Sequence, residues 1–77
     1  MMSKFVKINN RYIRADKIKE IIVWKDFYGQ IFNQHQWSVV YLEENRDNKY
    51  CIIKSFNTQE EAEDCAAYYA EIINEAM

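Results

Sequence analysis

KYCIIKSFNTQEEAEDCAAYYAEIINEA, residues 49–76, changes its hydrophobic period halfway along, and that change decides the fold. Up to Phe56 the run is short, aromatic and β-branched, as strands are. From Thr58 onward, Ala62, Cys65, Ala66, Tyr69, Ile72, Ile73 and Ala76 recur at three- and four-residue steps. That spacing lays one apolar stripe along a helix of about four turns. Thr58 followed by Glu61 is a capping box, and acids crowd the first turn, where the helix dipole favours them. The spacing predicts a helix over about 58–75. Small residues in its first half let it lie close to a sheet.

Working back from there, KYCIIKSF (49–56) and WSVVYLE (37–43) flank the polar turn ENRDN and read as an antiparallel hairpin. KIKEIIVW (17–24) is a third strand, with Ile18, Ile22 and Trp24 on one side and Ile21 and Val23 on the other, so it is expected to be covered on both faces. KFVKI (4–8) and RYIRA (11–15) are short strands joined at Asn9-Asn10, since asparagine tolerates the left-handed backbone of tight hairpins. Asp16 marks a turn before the third strand. The expected architecture is α+β, one domain over 1–77. A four- or five-stranded antiparallel sheet, a meander of hairpins, has strands at about 4–8, 11–14, 17–25, 37–43 and 49–56. The C-terminal amphipathic helix packs on one face.

The sequence NNRYIRADKIKEI (9–21), followed by a strand pair and a terminal helix, resembles small bacterial proteins of the FlbD type, which are associated with flagella. In that pattern a hairpin leads to Asp-x-Ile-x-x-Ile, here Asp16, Ile18 and Ile21. Short phage and mobile-element proteins are similar. This chain departs from the pattern by lacking its Asn-Gly turns, by an insertion at 25–36 and by a longer helix. The resemblance implies the order of elements and assigns no functional residue.

Seventy-seven residues are enough for one core only. A chain of this size buries about 60% of its unfolded surface, so a disulfide, a metal or a partner subunit usually contributes to its stability. Cys51 and Cys65 are too few for a disulfide framework and lack zinc-ligand spacing. They read as small buried apolar residues of a reducing compartment. With no secretory pattern and no long apolar run, the chain reads as cytoplasmic, with no membrane partner. A partner subunit is then the expected addition.

Charge is divided along the chain. Residues 1–25 hold seven Lys or Arg against two acids, a balance of +5, while residues 55–77 hold six acids and no base, −6. Catalytic constellations are not evident. His35 is the lone histidine and sits in a polar run; Gly29 is the lone glycine, so there is no glycine-rich phosphate loop. The acids at 60–64 lack the alternating ligands and glycine of a calcium loop. No enzymatic activity and no cofactor are expected.

KDFYGQIFNQHQW (25–37) concentrates aromatic residues between two strands. Three readings compete. The rings could be cross-strand positions of a long hairpin. Phe27, Tyr28, Ile31, Phe32 and Trp37 could instead form an exposed apolar patch where a homodimer or protein partner binds. Or aromatics could stack on single-stranded nucleic acid or a nucleotide, with phosphate contacts from Lys4, Arg11, Arg14, Lys17, Lys19 and Lys25 and rings from Tyr12, Trp24 and Trp37. The leading expectation is a non-catalytic protein-binding domain that self-associates, with an inhibitor of phage or mobile-element type as one variant. Nucleic-acid or nucleotide binding is the runner-up.

Overall fold

The computed structural model describes residues 4–26, 36–44, 47 and 49–77. Strand β1 (Phe5–Ile8) and strand β2 (Arg11–Arg14) form an antiparallel pair in which Val6 faces Ile13 and Ile8 faces Arg11. Asn9 makes the turn at φ 57°, in the left-handed region that asparagine tolerates better than most residues. Its side-chain amide donates to the Ile52 carbonyl at 3.4 Å, tying the hairpin tip to the last strand. Pairing in this register places Val6, Ile8 and Ile13 inward and leaves Phe5, Lys7, Tyr12 and Arg14 exposed.

A 3-10 turn over Ala15–Lys17 follows. Ala15 is fully buried, and its N–H donates to the Lys4 carbonyl at 3.0 Å. This turn leads the chain out of the hairpin, so β2 does not pair with the next strand. The continuous four- or five-stranded sheet expected from sequence is therefore corrected to a two-stranded hairpin and a three-stranded sheet. The start of β1 bonds the helix instead: the Lys4 N–H donates to the Ala76 carbonyl at 2.7 Å.

The three-stranded sheet has the order β3 (Ile18–Lys25), β4 (Trp37–Glu43), β5 (Tyr50–Phe56), antiparallel throughout. Two irregularities re-aim side chains. One lies between Ile18 and Glu20, and Ile18 packs with the core while Glu20 does not. The other lies in β5, where Val39 faces Lys54 and Val40 faces Ile52, so Ile53 is the extra residue of a bulge. Ser38 and Ser55 sit opposite one another and share a hydroxyl–hydroxyl bond of 2.9 Å.

Helix α1 (Gln59–Glu75) is capped by Thr58, whose hydroxyl accepts from the Glu61 N–H at 3.2 Å and donates to the Glu61 carboxylate at 2.8 Å. Its packed stripe is Ala62, Cys65, Ala66, Tyr69, Ile72, Ile73 and Ala76. Ala62 is fully buried, which brings the backbone close to the sheet. Val39, Tyr41 and Ile53 of the sheet share one core with Val6, Ile8, Ile13 and Ala15 of the hairpin segment. Helix and hairpin thus cover the same face of the sheet. Among the described residues no helix is long and apolar enough to cross a membrane.

Candidate interaction surfaces

Directly opposed residues of an antiparallel pair point to the same face. The pairs Ile21–Tyr41, Val23–Val39 and Lys25–Trp37 therefore lie on the helix side, and Ile22–Val40 and Trp24–Ser38 on the other. The second face also receives Leu42, Tyr50 and Ile52. None of these residues belongs to the core shared with the helix. Yet Val40 and Ser38 are among the most buried of the described residues, at 0% and 1% exposed.

The register places two rings around Val40. Trp24 lies opposite Ser38 and Tyr50 opposite Leu42, so the diagonal joining the two rings crosses β4 at Val40. The rings meet edge to face with centroids 5.3 Å apart, a favoured geometry for aromatic pairs. Tyr50 also donates its hydroxyl to Glu20 Oε1 at 2.8 Å. Ile22, Leu42 and Ile52 flank them half-buried, and Trp24 keeps 40% of its surface exposed. Among the described residues no helix or strand packs on this face, and residues 27–35, which follow β3, lie outside them. The result is an aromatic and aliphatic platform on the back of the sheet.

A second aromatic surface lies on the hairpin. Phe5 and Tyr12 are 63% and 68% exposed, among the most exposed large apolar side chains described. The ammonium of Lys7 sits 5.9 Å from the centre of the Tyr12 ring.

The basic residues singled out from sequence do not form one stripe. Arg11 donates to the Tyr41 hydroxyl at 2.9 Å and to Glu43 at 3.1 Å. Arg14 pairs with Asp16 at 2.8 Å, and Lys17 lies 3.9 Å from Glu44. Lys25 stands over the Trp37 ring at 5.3 Å on the helix side. Lys4 and Lys19 are exposed, Lys19 beside an open groove of about 250 Å³ between β3 and the C-terminal half of α1, walled by Ile18, Ile21, Ala70, Ile73 and Met77. Trp24 and Trp37 lie on opposite faces of the sheet, and Tyr12 is on the hairpin, so the three rings cannot form one stacking platform. Trp37 packs half-buried against the core. Phe27, Tyr28, Ile31 and Phe32, the remaining candidate interface residues, lie outside the described residues, as does His35.

The polar cluster around Tyr41 binds hairpin to sheet. Burial pushes the Tyr41 phenol above its usual value of 10.0; Cys51 adds to the rise and Arg11 opposes it. Desolvation draws the Arg11 guanidinium down, but Tyr41 and Glu43 more than offset it, so it stays charged. Burial likewise raises the Cys65 thiol against the opposing charge of Lys54. Both cysteines are free and half-buried. Among the described residues no group of three His, Cys, Asp or Glu side chains lies close enough to hold a metal ion.

These shifts predict an alkaline limit. Tyr50 is raised by its bond to Glu20, then by desolvation, and Tyr69 chiefly by burial. A raised phenol favours the neutral form in the fold, so its stabilisation is complete below pH 10 and is lost as pH rises through the folded value. Phenolate absorbance of the native protein is expected to rise at higher pH than that of the urea-unfolded chain. Coincident titration curves would contradict the environments assigned to Tyr41, Tyr50 and Tyr69.

Searches against known protein families, curated proteins and solved structures return no match to this chain.

Proposed function

We propose that the protein is a cytoplasmic, non-catalytic interaction domain that self-associates through the back of its three-stranded sheet. The observation that carries this reading is the platform of Ile22, Trp24, Leu42, Tyr50 and Ile52 over Val40, opposite the helix-covered face. Patches of this kind on small soluble proteins mark contact surfaces, and Trp and Tyr are the residues most enriched at their energetic centres.

Charge favours a second copy as the occupant. Glu20 is the one carboxylate placed on this face among the described residues, and it is engaged by the Tyr50 hydroxyl. Two copies can meet face to face about a twofold axis without opposing charges. The acidic helices then lie on the outer layers, held apart by both sheets. Such a pairing would build the two-layer sheet packing, about 10 Å between layers, that closes many β-rich folds.

Size sets the strength. At about 3.4 Å per residue and about 4.8 Å between strands, a three-stranded face seven residues long covers roughly 350 Å². Stable interfaces bury about 800 Å² per partner. The dimer is therefore expected to be weak and to dissociate on dilution. Sedimentation velocity across a dilution series of the full chain tests this: a sedimentation coefficient that rises with concentration toward the dimer value supports it, and monomer throughout rejects it.

A further inference from the structure

We propose that the outward face of the β1–β2 hairpin is a stacking surface for single-stranded nucleic acid, with Phe5 and Tyr12 as the platform and Lys7 and Arg14 as phosphate contacts. This surface is separate from the sheet face above, and its role does not depend on self-association.

The geometry comes from the register. Phe5 is paired with Arg14 and Lys7 with Tyr12, so the four outward side chains make a square with the two rings on one diagonal and the two cations on the other. Diagonal neighbours on a sheet face sit about 7 Å apart. Two rings at that spacing can each take one base of an extended strand. Both are more than 60% exposed, so they bury little against their own fold. Their environment is also the reverse of the sheet back. There the rings lie over Val40 beside a carboxylate; here cations flank them, and Lys7 stands over the Tyr12 ring.

The ligand follows from that chemistry. Lys7 has no acidic partner among the described residues, while Asp16 engages one nitrogen of Arg14 and leaves other donors of its planar fork. An anion bearing flat apolar faces satisfies both halves of the square, and a nucleic-acid strand is that ligand. A duplex hides its base faces in the stack, whereas a single strand offers them to aromatic side chains. Two cations give a modest electrostatic contribution: at about −0.7 per phosphate contact, the logarithmic salt slope is at most about −1.4.

Fluorescence polarisation of a labelled oligothymidylate of about 12 nucleotides, within the usual site sizes for single strands, tests this at low salt. The full chain is expected to bind it, and Phe5→Ala and Tyr12→Ala each to weaken binding about tenfold or more. Tyr12→Phe, which keeps the ring, is expected to restore it. Because both rings are exposed, far-ultraviolet circular dichroism should be unchanged in all three. Trp24→Lys, on the other surface, should bind as wild type does, so the two proposals can fail separately. No binding at low salt, wild-type binding by the Phe5→Ala,Tyr12→Ala double variant, or equal competition by a duplex of the same length overturns the inference.

Discussion

Ile8→Ala is expected to lose about 2–5 kcal/mol of folding stability, the range for removing a buried Ile side chain and leaving a cavity. Ile8 is 1% exposed and packs in the core that joins hairpin, sheet and helix. A chain of 77 residues has about 4–12 kcal/mol in total at the usual 0.05–0.15 per residue. One substitution in a four-residue strand thus removes a large share of it. The reason is architectural. The hairpin does not extend the sheet; it closes the end of the core beside the helix, anchored by Lys4 to Ala76 and by Arg11 to Tyr41 and Glu43. Urea unfolding should show the midpoint fall sharply at unchanged slope. A loss below about 1 kcal/mol, the level of a peripheral contact, would show that the hairpin is an accessory to a core that stands without it.

Trp24→Lys is expected to abolish self-association while leaving the fold intact. Central aromatic residues of an interface cost about 2 kcal/mol or more when removed, and a twofold contact loses each one twice. The combined effect, about 4 kcal/mol, is roughly a thousandfold in the dimer dissociation constant. Folding suffers less, because Trp24 is 40% exposed and the lysine stem can still lie over Val40. The variant should sediment as a monomer at every concentration and retain its helical circular dichroism. Persistence of the dimer would place the contact elsewhere on the molecule.

Several elements could be read from residues alone. The α+β class followed from the change of period at Phe56, and the helix stripe from Ala62 to Ala76 is the one that packs. Thr58 and Glu61 announced the cap, although the Glu61 carboxylate takes the Thr58 hydroxyl itself. What sequence did not reveal was direction. Asp16 signals a turn, but whether the chain turns back into the same sheet or away depends on where Ala15 is buried and what Lys4 bonds, both long-range facts.

The surfaces show the same limit. Trp24 and Trp37 look like companions in sequence, yet the pairing of Lys25 with Trp37 puts them on opposite sides of one sheet. That pairing is a matter of register, which the number of residues between β3 and β4 does not fix by itself. The back-face partners Tyr50 and Leu42 were not recognisable as a cluster, because a bulge at Ile53 shifts β5 by one residue. Phe5 and Lys7, by contrast, could have been found. A two-residue turn at Asn9-Asn10 forces Ile8 opposite Arg11, and alternation then sends Val6 inward and Phe5 outward.

Trp24 itself offers the most direct test of the sheet-face contact. The chain has two tryptophans, so Trp37→Phe leaves Trp24 as the sole reporter. Its acrylamide quenching should be strong in dilute solution and fall as concentration rises, because the second copy seals that face. A quenching constant that stays flat over the whole concentration range would contradict the proposal that this protein acts through the back of its sheet.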